Sequence, residues 1–385
     1  MGAARSSVRI NSINQNFRQS KKLMSDYSFS PALYDQQLQE KIAIFRQDFA
    51  NFDLPDIDVF ESPREHFRMR AEFRVWHRGD IVTFIMFSPD EFKRIYDINS
   101  FPIGSLLINE LMPRLIEAFN ISDVLRKKLY QVDFLTTLSG EALVTLVYHK
   151  PLNDEWLAAA EQLKNKLNIN IIGRSRKQKC VVGREYVIEQ LNVGEREFTY
   201  QQVESGFTQP NARVCEHMLS WAVDKSQHFG GDLLELYCGN GNFTLPLSHN
   251  FEKVVATELA KPSLNSALFN IELNQIDNVA LARMSSEEFS QALDKVRPFK
   301  RLQHINLDDY QFSTIFVDPP RAGLDPLTTA VSQRFDNIIY ISCNPMTLHK
   351  NLSVITQTHE ITDAALFDQF PYTHHLECGV ILRKK

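Results

Sequence analysis

The stretch DLLELYCGNGNF, residues 232–243, decides the fold. Its apolar run is of the kind that fills a parallel strand buried on both faces, and it ends abruptly in Gly239-Asn240-Gly241. Glycines directly after a strand and before a helix let backbone approach a ligand closely. The next apolar run, KVVATE (253–258), closes on Glu258, where an acid can accept hydrogen bonds from ribose hydroxyls. The spacing is G-x-G without the third glycine of the dinucleotide fingerprint. No pyrophosphate needs cradling, so S-adenosylmethionine is favoured over a nicotinamide dinucleotide.

Two more runs of the same type follow, STIFVD (313–318) and NIIYIS (337–342), with helical stretches such as KPSLNSALFNIEL (261–273) between strands. This β-α alternation predicts a Rossmann-like, doubly wound α/β domain over 191–385. Ligands of such sheets bind outside the carboxyl ends of the strands. Glu258, Asp318 (followed by Pro319-Pro320-Arg321) and Cys343 all fall at that edge.

Upstream the texture changes. FRMRAEFRVWH (67–77), DIVTFIMFS (80–88), LYQVDFLTTL (129–138), ALVTLVYHK (142–150) and NINIIGRSRKQKCVVG (168–183) read as strands; SLLINELMPRLIEAF (105–119) and NDEWLAAAEQLKNKL (153–167) read as helices. An α+β domain with an antiparallel sheet is expected over 64–190. Residues 25–63 supply a helix, with Leu33, Leu38, Ile42, Phe45 and Phe49 on one face, and then a polar connector, LPDIDVFESP (54–63). The first 25 residues hold five basic residues and no acid. Residues 1–24 are expected to be a disordered basic tail, or an over-long start before a natural initiator at Met24.

The chain has 385 residues and a formal net charge of −5. Residues 1–190 carry 26 Lys+Arg against 24 Asp+Glu, and the remainder 16 against 23. The basic bias therefore belongs to the first half, where an RNA surface is expected. Arg68, Arg70 and Arg74 share a strand face if alternation holds, Tyr130 follows the basic run Arg126-Lys127-Lys128, and 164–184 holds seven Lys/Arg, including Arg174 and Arg176, with no acid. No apolar stretch approaches the roughly 18 residues that span a bilayer. The five cysteines are scattered, with no C-x-x-C, so neither a disulfide framework nor a metal centre is expected; a reducing cytoplasm fits.

Cys343, in YISCNP (340–345), reads by placement alone equally as a packing residue or a nucleophile. Asn344-Pro345 look like an N-cap and first helical residue, so the thiolate is expected to be favoured by a helix N-terminus. Such a thiolate has a use. Carbon 5 of uracil is too weak a nucleophile to attack a methyl sulfonium, but becomes an enolate carbon once a thiolate adds to carbon 6. A base must then take the carbon-5 proton. Glu377 in HLECGVILRK (375–384) is the candidate base, although by itself it reads as an ordinary strand glutamate.

In combination, FRMRAEFRVWH (67–77), FTQPN (207–211), LLELYCGNGNF (233–243), FVDPPRAGLD (316–325), YISCNP (340–345) and FDQFPYTHHLECGV (367–380) resemble the tRNA (uracil-5-)-methyltransferase family, from about residue 30 onward. The resemblance implies that Cys343 attacks carbon 6, that Glu377 takes the carbon-5 proton, and that Gln209, Tyr237, Asn242, Glu258 and Asp318 contact S-adenosylmethionine. It implies a cytoplasmic, monomeric enzyme that makes 5-methyluridine at position 54 in the T-loop of tRNA. Relatives acting on ribosomal RNA carry an iron–sulfur cysteine cluster, which this sequence lacks; that favours the tRNA branch. Two other readings are kept: an RNA-binding or RNA-folding chaperone with secondary methylation, and another RNA carbon-5 methyltransferase, of uridine or of cytosine. In the cytosine enzymes the attacking cysteine follows a proline, whereas Cys343 follows Ser342.

Overall fold

A computed structural model describes residues 29–87 and 95–385; the basic segment 1–24 lies outside the described residues. The chain divides into two compact units. One comprises the described residues up to Arg64, together with Val193–Glu195 and Arg213–Lys385; the other is Glu65–Asn192 with Arg196–Ala212.

The first unit begins with helix α1 (Tyr34–Asp48), whose buried face carries Tyr34, Leu38, Ile42 and Phe45. Leu33, expected on that face, is exposed. The segment read as a connector contains strand β1 (Ile57–Phe60).

The second unit is built on a seven-stranded sheet. Its strands are β2 (Arg70–Arg78), β3 (Ile81–Phe87), β4 (Ile95–Asp97), β5 (Leu129–Thr136), β6 (Ala142–Tyr148), β7 (Asn170–Ser175) and β8 (Gln178–Val182), in the order β4-β3-β2-β5-β6-β7-β8. The sheet is mixed rather than wholly antiparallel, because β6 and β7 run parallel, Leu143 opposite Asn170. Parallel neighbours need a long crossover, and here it is a helix, Asp154–Leu167 (α3, following α2 at Leu106–Ile121). Asn153 caps the start of α3 by accepting from the Trp156 N–H, and Asn168 ends it in a left-handed conformation, φ 54°. Trp156 is fully buried against β7, so close that a Cβ on Gly173 would lie 2.3 Å from its ring. Alternation along β2 holds: Ala71, Phe73 and Val75 enter the core. A hairpin, β9 (Tyr186–Val193) and β10 (Arg196–Val203), precedes helix α4 (Ala212–Ser226).

Beyond α4 the first unit resumes with β11 (Asp232–Leu236), β12 (Val254–Thr257), β13 (Val279–Ala282), β14 (Phe312–Val317), β15 (Asn337–Ser342), β16 (His359–Phe367) and β17 (Glu377–Lys384). With β1 they form one sheet in the order β1-β16-β17-β15-β14-β11-β12-β13. Strands β13, β12, β11, β14 and β15 are mutually parallel, while β17 inserts antiparallel between β15 and β16. The chain leaves β11 in one direction to β12 and β13, then returns to β14 on the other side of β11. The reversal makes the carboxyl ends of β11 and β14 the topological switch point, where a crevice opens in such sheets.

Candidate active site

Strand β11 feeds directly into the glycine loop. Tyr237 adopts φ 65° and Gly239 φ 59°. A left-handed aromatic residue is an outlier that the surrounding structure must hold in place, and such strain gathers at functional sites. The Tyr237 hydroxyl donates to Ser286 Oγ at 2.7 Å. No atom lies within 4 Å of a Cβ built on Gly239, so space is open above the loop. Gly241 differs: at φ 85° its Cβ would approach Leu245 Cδ1 to 2.7 Å, because the loop turns tightly into the following helix. Glu258, just past β12, accepts from the Gly239 N–H at 3.1 Å and from the Ala260 N–H at 2.6 Å. Each of its oxygens retains a second lone pair, so the carboxylate is preset to accept from a diol. Asn242 is in hydrogen-bonding contact with Cys215 Sγ, 3.4 Å from its amide nitrogen.

The reactive edge lies beyond β14 and β15. Asp318 follows β14 and is pushed up to about 7 by burial. In the β15–β17 ladder Ser342 pairs with Cys378, so one further step places Cys343 opposite Glu377. Glu377 in turn pairs with Phe367 of β16. Asn344 caps helix α6 (Pro345–Ile355; α5 being Lys261–Leu273) by accepting from the Met346 N–H, with Pro345 at the first helical position. The expected helix start is present, but the expected thiolate is not. Burial first, then the Glu377 and Asp318 carboxylates, push the Cys343 thiol up to about 11, outweighing the opposing Arg321 guanidinium. Desolvation and like charge thus override a single helix end. Burial and Asp318 hold Glu377 well above the usual carboxylate range, again opposed by Arg321. Burial thus disfavours the charged form of both groups, and the Arg321 guanidinium is the charge that opposes it. Arg321 is exposed, and its carbonyl accepts from Asn344 Nδ2 at 2.9 Å.

Glu235, on β11 behind the loop, is also buried, and the Thr244 hydroxyl is the group that favours its charged form. Burial pushes its carboxyl up to about 8. Cys238, Cys215 and Cys378 are buried. Among the described residues, no group of three or more His, Cys, Asp or Glu could hold a metal ion, and no helix is long and apolar enough to cross a membrane.

Gln209 belongs to the other unit. It lies in Phe207–Asn211, which is held within that unit by the Met69 N–H donating to Pro210 O at 2.7 Å and by a bridge between Arg68 and Asn211. The basic residues of this unit divide into two groups. Arg70 is half-buried and donates to Gly206 O at 2.5 Å and Glu204 O at 2.8 Å; Arg68 Nε donates to Arg70 O at 2.8 Å. Arg174 forms a two-pronged ion pair with Glu204. These guanidiniums are engaged within the protein. Arg74 is different: it lies over the Tyr130 ring, 4.2 Å from its centroid, and its buried Nη1 has no partner. Tyr130 also stacks on His149, centroids 4.2 Å apart and planes 25° apart. His149 escaped the sequence reading; the β5–β6 pairing, which brings 129 opposite 148, is the signal that could have found it. Beside it a cavity of about 720 Å³ is lined by His149, Lys150, Arg174, the exposed Arg176 and Gln178.

Comparison with known proteins gives the family. The model of the family described as "tRNA (Uracil-5-)-methyltransferase" matches residues 33–385. The tRNA/tmRNA (uracil-C(5))-methyltransferase of Cellvibrio japonicus is 62% identical over 357 residues, covering 93% of this chain and 97% of that protein. The protein of the same name from Vibrio parahaemolyticus is 53% identical over 369 residues, covering 94% and 100%. Among solved structures, the Pyrococcus abyssi tRNA (uracil-54, C5)-methyltransferase in complex with S-adenosyl-L-homocysteine shares the fold, with a TM-score of 0.69 at 21% identity, covering 91% of this chain and 83% of that one.

Proposed function

The chain belongs to the tRNA (uracil-5-)-methyltransferase family, and from that premise we propose how its residues carry out the reaction. It is an enzyme that methylates carbon 5 of uracil in tRNA. The proposed target is uridine 54 of the T-loop, the position for which the Pyrococcus abyssi neighbour is named. Action as a cytoplasmic monomer is part of the same proposal.

The residues present fit S-adenosylmethionine. The open space above Gly239 admits a ligand against backbone, and Glu258 presents preset acceptors for ribose hydroxyls. Tyr237, Asn242 and Asp318 complete the proposed set. When bound, the cofactor supplies an electrophilic methyl group. The protein supplies the rest. The Cys343 sulfur, once deprotonated, adds to carbon 6 and turns carbon 5 into a nucleophile. After carbon 5 is alkylated, the Glu377 carboxylate takes its proton; the electrons of the C–H bond re-form the ring double bond and expel the Cys343 thiolate. Arg321 favours the ionised form of both groups. The unit holding Arg74, Tyr130, His149 and Arg176 is proposed to recognise RNA. A flipped-out or loop base can stack on the aromatic pair while cations meet phosphate.

The observation that carries this reading is the β15–β17 register, in which Ser342 pairs with Cys378, the immediate neighbours of the half-exposed Cys343 and the buried Glu377. Transfer RNA containing 5-fluorouridine tests it, because fluorine cannot leave carbon 5 as a proton. With the cofactor, a denaturation-resistant protein–RNA adduct is expected to accumulate, and to vanish in Cys343→Ala. Glu377→Gln should trap the adduct on ordinary uridine. Adduct formation by Cys343→Ala, or wild-type turnover by Glu377→Gln, would refute the assignment.

A further inference from the structure

We infer that Lys41, on α1, is a positioning residue for the base: it cross-links the nine-residue loop Asp368–Leu376 from inside and thereby sets the position of Glu377. This rests on the reading of Glu377 as the base. Strands β16 and β17 are joined by this loop, and its neck is the pair Phe367–Glu377. Lys41 is 1% exposed and Asp368 2%. The ammonium has three donors, and all three go to the loop: Asp368 Oδ1 at 2.7 Å, Phe370 O at 2.9 Å and His375 O at 3.1 Å. The first partner adjoins the last residue of β16. The third lies two residues before Glu377.

A lysine needed only for stability would not have to be a lysine here. A buried ion pair is replaceable by apolar groups with little loss, and often with gain. What an apolar replacement cannot do is hold two carbonyls at opposite ends of a loop together. The neighbouring chain restrains the same loop from the outside. The Asp368 N–H donates to Phe60 O at 3.0 Å, and the Tyr372 hydroxyl donates to Arg64 O at 2.7 Å. Tyr34, one face-turn before Leu38 on α1, accepts from the Ser62 N–H at 2.7 Å and interacts with Asp368. Removal of the ammonium would therefore loosen the loop while the outer restraints keep it folded. Cys343, between β15 and α6, is not held by Lys41. The inference separates the two chemical steps: addition at carbon 6 should survive and proton removal should suffer.

The test uses the full-length enzyme in two variants. Lys41→Met leaves the Asp368 charge buried and unpaired, and can fail to fold. Lys41→Met/Asp368→Asn removes both charges and keeps an acceptor for Tyr34. For each, adduct formation on 5-fluorouridine tRNA and product release on ordinary tRNA are timed separately, with Glu377→Gln in parallel. The expected result for the double variant is adduct formation within about threefold of wild type, product release at least tenfold slower, and adduct visible on ordinary uridine. Equal slowing of both steps, or no slowing of either, overturns the inference while leaving Glu377 as the base. If Glu377→Gln itself traps no adduct, the base reading fails and the inference falls with it.

Discussion

The state of the Cys343 thiol gives the sharpest prediction. Its environment pushes it up to about 11, against about 8.5 for an ordinary free cysteine. At pH 7 the thiolate is then roughly 300-fold scarcer than in a free cysteine. A more basic thiolate is intrinsically more nucleophilic, by about tenfold over this interval, which offsets part of the loss. Alkylation of Cys343 by iodoacetamide in the free protein should therefore run about 30-fold slower than that of a free thiol at pH 7. Between pH 8 and 9.5 its rate should climb about 30-fold without levelling, where an ordinary thiol would gain only about fourfold. Peptide mass spectrometry resolves Cys343 from the half-exposed Cys180. Arg321→Met, which removes the opposing cation, should push the profile further alkaline. A rate that levels off near pH 8.5 would refute the account, since it would mean that burial and the two carboxylates do not dominate.

Two more predictions follow from buried and exposed groups. Glu235 is raised to about 8, so its contribution favours folding below its unfolded range near 4.5 and is lost as pH rises to about 8. The loss is about 4–5 kcal/mol at the upper limit; denaturant midpoints at pH 5 and 8 should show wild type falling by several kcal/mol more than Glu235→Gln, and parallel falls would contradict this. Tyr130→Ala should weaken tRNA binding by roughly 5- to 150-fold, the range for loss of one base–aromatic stack, and leave cofactor binding unchanged in calorimetry; RNA affinity within twofold of wild type would remove Tyr130 from the interface.

Much of this was legible in the residues. Runs of β-branched and aliphatic residues ending in glycine or acid can be little else than buried parallel strands, so β11, β12, β14 and β15 and the residues at their carboxyl ends followed from periodicity alone. Alternation likewise assigned the inward face of β2. Three things did not follow. The connector hid β1, because a four-residue edge strand has too few residues to show a period and is defined by its partner β16. The parallel β6–β7 pairing was missed because strand direction depends on the crossover, not on the strand. Lys41 drew no notice in the sequence, since its partners are more than 300 residues away.

Charge shows the same division. The sequence alone determined that residues 164–184 hold seven cations and no acid, and that a cysteine precedes a helix start. Only the tertiary structure decided what those charges meet. Glu204 takes up Arg174, Glu141 takes up Arg184, and Glu185 takes up Lys179, leaving Arg176 exposed and Arg74 over Tyr130. At the reactive edge it buried Cys343 beside two carboxylates, raising the thiol that the local motif alone would lower. The physical reason is one: periodicity and caps are local and are written in neighbouring residues, whereas desolvation and Coulomb interaction depend on distance in space, which is fixed only once distant segments have packed.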